Sequence, residues 1–177
     1  MFLKAFISIV TVLGAATDTW KDTEGTQHSL GRKPIVIFYL MTDCPLSNGY
    51  VPEMNRLKAA YTARGVDFLG ILAEDVSRED ARTHVREFGY QFPVLFDPGN
   101  RLARKTAATV VPEVALLVSG AVAYLGRIDN RMEDFGRKRE VVTKTELRDA
   151  LDAVLAGKSP AVPRTKAVCC AISLEKK

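Results

Sequence analysis

The run Pro34 to Met41, "PIVIFYLM", constrains this chain more than any other stretch. It is rich in Ile, Val, Phe and Tyr and shows no polar alternation, so it reads as a strand buried on both faces. Such a strand belongs at the centre of a sheet that carries helices on each side. It leads into "TDCPLSN", residues 42–48, where Pro45 suits the first turn of a helix because its missing N–H would have no partner there. Val51, Met54, Leu57, Lys58 and Tyr61 then recur at helical spacing until Gly65. The spacing predicts a helix over about residues 45–64, bent where Pro52 removes a backbone hydrogen bond.

The rest of the chain alternates in the same way. "VDFLGILA", Val66 to Ala73, is a second buried strand. Ser77 and Asp80 resemble a capping box and open a helix that ends at Gly89. "FPVLFD" predicts a short strand and "NRLARKTAA" a short amphipathic helix. "EVALLVSGAVAYLGRI" predicts two strands joined at Ser119-Gly120 as a hairpin. A last helix fills Lys144 to Ala156 and stops at Gly157. The residues after it hold two prolines and no helical period, and read as an extended tail or a strand against the body. Parallel crossovers followed by an antiparallel hairpin define an α/β domain with helices on both faces of a mixed sheet. Ligands of such sheets gather at the carboxyl ends of the strands, which makes the segment Met41 to Pro45 the first place to seek a site.

Length and composition fit this class: 177 residues suit one domain, and 47% hydrophobic with 26% charged residues argues against disorder. The net charge of +4 is mild. Its densest cluster, Arg137-Lys138-Arg139, lacks aromatic interleaving and reads as a solvated loop, which argues against nucleic acid as a partner. The N-terminus, "MFLKAFISIVTVLGAATD", has one Lys, an apolar run from Ala5 to Leu13 and small residues after it. Residues 1–16 thus read as a short secretory signal peptide, the alternatives being an N-terminal strand or the stub of a longer chain. The apolar run is too short to span a membrane as a mature helix, and export would put the protein where disulfides persist.

Three cysteines, Cys44, Cys169 and Cys170, are too few for a disulfide scaffold or a four-ligand zinc site, so they read as chemistry. Cys44 falls at a helix N-terminus, where unpaired N–H groups favour the thiolate, while Asp43 opposes it by charge repulsion. The alternative is a small inert cysteine packed at a strand end. Cys169 and Cys170 are the thiols available to resolve an oxidised Cys44, and the 13 residues from Lys158 to Cys170 give ample reach, up to roughly 43 Å when extended. In an alternative reading the three hold a soft metal together. Pro112 in "VVPEV" is either an ordinary strand-initiating trans proline or a cis proline that presents the Val111 backbone beside the thiol. Arg127 in "GRIDNR" either supplies a cation to the site or pairs on the surface with Asp129 or Asp134. His28, in a turn, and His84, on a helix face, have no ligand spacing and receive no role.

A strand, a cysteine opening a helix, Pro52 eight residues later and Pro112 before the hairpin together resemble the thioredoxin fold. More specifically, the chain resembles the redoxin branch, the peroxiredoxin-like proteins of the alkyl hydroperoxide reductase and thiol-specific antioxidant group. The motifs are "DTEGTQHSL", "DCPLSNGYVPEMNRL", "VVPEVALL", "YLGRIDNRMEDFGRKR" and "LAGKSPAVPRTKAVCCAI", covering about residues 18–174. The resemblance implies a thioredoxin-like domain over residues 17–157 and a cysteine-bearing tail over 158–177. It implies that Cys44 is the attacking thiol, Cys170 its resolving partner and Pro112 a cis proline beside the site. Cys169 stands where the subgroup usually has glycine. The implied substrate is a peroxide or a disulfide and the implied reductant a thioredoxin-like protein, with no prosthetic group.

This sequence departs from the family at several positions. The peroxidase signature wants Thr or Ser three residues before the cysteine and Pro seven before, where this chain has Met41 and Ile37, with Thr42 one residue off register. The buried acid that thioredoxins carry six residues before is replaced by Phe38, and the second thiol of a C-x-x-C pair by Ser47. Thiol oxidoreductase is therefore the first expectation and peroxidase the second. The rivals are a soft-metal (copper) binding or delivery module built on the three cysteines, and a catalytically inactive redoxin-fold binding module.

Overall fold

The computed structural model describes residues 18–31, 33–134 and 136–174, so the signal peptide expected over residues 1–16 lies outside the described residues. An N-terminal hairpin pairs β1 (Thr19–Lys21) with β2 (Gln27–Ser29). It is followed by β3 (Ile35–Leu40), α1 (Pro45–Tyr61), β4 (Asp67–Leu72), α2 (Arg78–Phe88), β5 (Val94–Phe96) and α3 (Arg101–Thr106). The second half contributes β6 (Val110–Val111), β7 (Glu113–Val118), β8 (Ala121–Gly126), β9 (Met132–Asp134), β10 (Arg137–Lys138), α4 (Glu146–Leu155) and β11 (Cys170–Ala171).

Five strands form the central sheet in the order β5-β4-β3-β7-β8. β3 pairs parallel with β4 and antiparallel with β7, which places "IVIFYL" at the sheet's centre with every residue buried. Alternation then divides the strand between two cores. Val36, Phe38 and Leu40 face a core with Met54 and Leu57 of α1 and Leu147 and Leu151 of α4. Ile35, Ile37 and Tyr39 face a second core with Leu102 and Ala103 of α3, Trp20 of β1, Cys44 and Ile172. The mixed α/β sheet covered on both faces is the architecture that the apolar periodicity predicts.

Local chemistry explains the element ends. The Ser77 hydroxyl accepts the Asp80 N–H at 3.1 Å and caps α2, and Gly89 closes it in the left-handed region at φ 67°. α1 runs unbroken across Pro52, and a 3-10 turn, Thr62–Arg64, extends it to Gly65. Three expectations need correction. The final helix begins at Glu146, two residues after Lys144, because Lys144 N–H and Thr143 N–H are held by the Asn130 side chain. Arg137 and Lys138 lie in a short hairpin with β9 and not in a loop, although both remain exposed. His28 lies on β2, paired at 2.7 Å with Asp22, and not in a turn. β6, two residues long, went unpredicted because so short a strand has no readable period.

The segment after Gly157 does not swing free. Leu125 N–H donates to Pro163 O (3.0 Å), and Thr165 N–H donates back to Leu125 O (3.1 Å). The Thr165 hydroxyl accepts the Arg127 N–H at 3.0 Å and lies 2.7 Å from the Tyr124 hydroxyl. This close approach needs Gly126, since a Cβ there would sit 2.6 and 2.8 Å from the Thr165 backbone O and N. Further on, β11 pairs antiparallel with β6, Cys170 opposite Val111 and Ala171 opposite Val110. Ile172 N–H donates to Thr109 O at 2.9 Å, and Ser173 O accepts from the Asn100 side chain at 2.7 Å.

Candidate active site

β3 ends at Leu40 and α1 begins at Pro45, and Cys44 is the residue that caps the helix. Its sulfur accepts the Ser47 N–H at 3.5 Å, in the place where the usual cap offers an oxygen. The turn leading to it is tied at two points. The Thr42 N–H and hydroxyl donate to one Glu74 oxygen at 2.5 and 2.8 Å, and the Asn48 side chain donates to Thr42 O at 3.0 Å. Cys44 itself is fully buried.

The tail delivers two further sulfurs to this one. Cys44 Sγ lies 3.6 Å from Cys169 Sγ and 3.7 Å from Cys170 Sγ, and the two tail sulfurs are 3.4 Å apart. The peptide bond between Val111 and Pro112 is cis, and Val111 O lies 3.9 Å from Cys44 Sγ. Directly after it, Glu113 is buried and accepts the Thr109 N–H at 2.8 Å, which fixes the backbone on which the tail strand pairs. No disulfide joins the three cysteines.

The electrostatics separate the three thiols. Burial works against ionisation of Cys44, yet the Ser47 N–H, the nearby Ser47 hydroxyl and the two tail thiols hold it below its ordinary value. The buried Ser47 hydroxyl has no partner at hydrogen-bonding geometry among the described residues, so it acts on this sulfur as a nearby dipole. Cys169 is pushed up to about 12, first by burial and then by serving as donor to its two neighbours. The Cys169 hydrogen bond favours the Cys170 thiolate, but burial and the proximity of Cys44 outweigh it and raise that group as well. One low thiol faces two high ones. Of the three, Cys44 is the one held toward the thiolate form.

The expected residues are thus brought together only in part. Cys44, Cys169, Cys170, Val111 and Pro112 converge. Thr42 adjoins the site, but its hydroxyl is engaged by Glu74. Arg127 does not pair with Asp129. Its guanidinium grips Glu146 of α4 at 2.9 and 2.5 Å, and Asp129 is taken by Arg131 and Tyr50. The residues missed in the sequence are Ser47, read there only as an absent cysteine, Glu74, which carried no local signal, and Glu113. A Glu immediately after Pro112, in an otherwise apolar strand, was the one available hint.

This arrangement of sheet, helix-capping cysteine and cis proline belongs to a fold shared with solved structures. A hypothetical protein from Sinorhizobium meliloti 1021 is 23% identical and superposes with a TM-score of 0.78, covering 92% of this chain and 93% of its own. An uncharacterized conserved protein from Geobacillus kaustophilus is 24% identical with a TM-score of 0.79, covering 92% and 91%. A secreted Mycobacterium tuberculosis disulfide oxidoreductase homologous to E. coli DsbE is 19% identical with a TM-score of 0.52, covering 60% and 80%. No curated protein matches the chain. The fold is thioredoxin-like, and the protein is a redoxin. Residues 14–119 match the AhpC/TSA family model, more than half of the chain, and the chain belongs to that family.

Proposed function

We propose that the protein is a thiol-disulfide oxidoreductase that works through Cys44 and its two tail thiols. The observation that carries this reading is the sulfur triangle, in which Cys44 Sγ lies 3.6 and 3.7 Å from sulfurs 125 and 126 positions away in sequence. The Cys44 thiolate attacks one sulfur of a substrate disulfide, forms a mixed disulfide and expels the other sulfur as a thiolate, which takes up a proton. Cys170, or Cys169 beside it, then attacks the Cys44 sulfur and expels the second substrate thiol. The substrate gains two electrons, and the chain is left with a disulfide between Cys44 and the tail. Closing it requires the sulfurs to approach by about 1.6 Å to the bond length of about 2.05 Å. An external dithiol, of the thioredoxin-like kind, restores the three thiols by the reverse exchange.

Peroxide is the second substrate class, by family membership. There the thiolate would take one oxygen to give a sulfenic acid and an alcohol or water, and a tail thiol would condense with it, releasing water. Disulfide exchange is preferred because the hydroxyl nearest the peroxidase position, that of Thr42, donates to Glu74. Full burial of Cys44 means that the tail strand must lift for a bulky substrate to reach it. No described helix is long and apolar enough to cross a membrane. The apolar N-terminus and the secreted Mycobacterium tuberculosis neighbour support work outside the cytoplasm, where disulfide substrates accumulate. To test the reading, one equivalent of a small disulfide or of peroxide is added and the linkages are mapped by mass spectrometry. A Cys44 to Cys169 or Cys170 linkage is expected, and an unmodified Cys44 with no such linkage refutes the assignment.

A further inference from the structure

We propose that Cys44, Cys169 and Cys170 also form a trigonal thiolate site for a soft monovalent cation of the Cu(I) class. The three sulfurs lie within 4.8 Å of one another, and among the described residues no His or carboxylate joins the group. Their separations of 3.6, 3.7 and 3.4 Å make a nearly equilateral triangle. The centre of such a triangle is about 2.1 Å from each corner, so an outward shift of about 0.2 Å per sulfur gives the metal–thiolate length of about 2.3 Å. A disulfide needs the opposite movement, two sulfurs drawn inward and the third left over. The resting positions are thus close to what three-fold coordination wants.

The donor set selects the ion. Three thiolates are soft ligands, which suit Cu(I), whereas Zn(II) seeks four ligands in a tetrahedron and Mg(II) or Ca(II) seek oxygen. The surroundings keep the site dry on one side: Cys44 is packed with Val111, Ala108 and Ile172, and Met41 and Leu46 press on the same cluster. Binding moves no electrons. The cation replaces the thiol protons, which pass to solvent, and a net negative charge remains on the cluster. The N-terminus of α1 and the Ser47 N–H face that charge, and the partial exposure of Cys169 and Cys170 lets water screen it. Metal and disulfide compete for the same sulfur lone pairs, so the oxidised chain cannot hold the ion and oxidation releases it.

The test is an anaerobic titration of the fully reduced chain with Cu(I) presented as its bicinchoninate complex. The wild type is expected to withdraw one Cu(I) per chain, each single Cys→Ser variant to bind at least tenfold more weakly, and the triple variant and the peroxide-oxidised wild type to withdraw none. X-ray absorption of the loaded wild type should show three sulfur neighbours at about 2.3 Å. In case a variant does not fold, alkylation of the wild type is followed with and without one equivalent of Cu(I), and all three cysteines should be protected together. Copper retained by the triple variant, protection of two cysteines or fewer, or Zn(II) held as tightly as Cu(I) would each overturn the proposal. Disulfide formation by Cys44 is read separately and can succeed where copper binding fails.

Discussion

Replacing Ser47 with Ala isolates the hydroxyl that faces the Cys44 sulfur, since the Ser47 N–H contact at 3.5 Å survives the change. The hydroxyl is buried and otherwise without a partner, so its removal opens no unpaired donor elsewhere among the described residues. A hydrogen bond that the hydroxyl donates to the thiolate contributes about 1.5 kcal/mol, a factor of about ten in the ionisation equilibrium, so the Cys44 midpoint should rise. Below both values the thiolate population then falls about tenfold. Each thiolate that remains is about threefold more nucleophilic, because reactivity follows basicity with a slope of about 0.5, which leaves a net loss of about threefold below both midpoints. Well above the new value the variant should react faster than the wild type. The assay is site-resolved alkylation of Cys44 against pH, read by mass spectrometry, with near-ultraviolet circular dichroism as the control for folding. A titration midpoint that stays put or moves down would show that the Ser47 hydroxyl does not act on this sulfur.

The equal placement of the tail sulfurs, 3.6 and 3.7 Å from Cys44, predicts that Cys169→Ser and Cys170→Ser each retain a disulfide to Cys44 through the remaining thiol, while the double variant traps sulfenic acid or mixed disulfide. Loss of the linkage in either single variant assigns resolution to that one residue. Gly126→Ala drives a Cβ to within 2.6 Å of the Thr165 backbone and should displace the tail, slowing disulfide closure at least tenfold and exposing residues 158–170 to limited proteolysis. Wild-type rates in that variant would mean that docking of the tail at Gly126 is irrelevant to closure. Burial raises Glu113 above the ordinary carboxyl value of 4.5, against the opposing pull of the Thr109 and Val110 amides. The fold therefore favours its protonated form, whose stabilisation is complete below pH 4.5 and is lost as pH rises through the higher folded value. Glu113→Gln should flatten that loss in thermal unfolding followed from pH 4 upward, and an unchanged slope would place the pH dependence elsewhere.

Much of the scaffold was legible because long apolar runs leave few choices. "IVIFYL" has no polar face to offer water, so it must sit mid-sheet, and Pro45 with the spacing from Val51 to Tyr61 fixes the helix behind it. β6, β9 and β10 were not legible, since two or three residues carry no period and such strands exist only where a partner is supplied. Arg127 shows the same limit for charge. Asp129 and Asp134 were the acids expected beside it, but α4 packs Glu146 against it.

By itself, the sequence determined the kind of sheet, the helix that Cys44 caps, and the supply of three thiols split between a strand end and a tail. Only the tertiary structure decided that the thiols meet. Their contact spans about 125 positions and depends on Gly126 admitting Thr165 and on Cys170 pairing with Val111. No local pattern encodes such a contact, because a separation in sequence limits only how far two sulfurs can reach, whereas their meeting depends on backbone hydrogen bonds and packing contributed by elements between and beyond them.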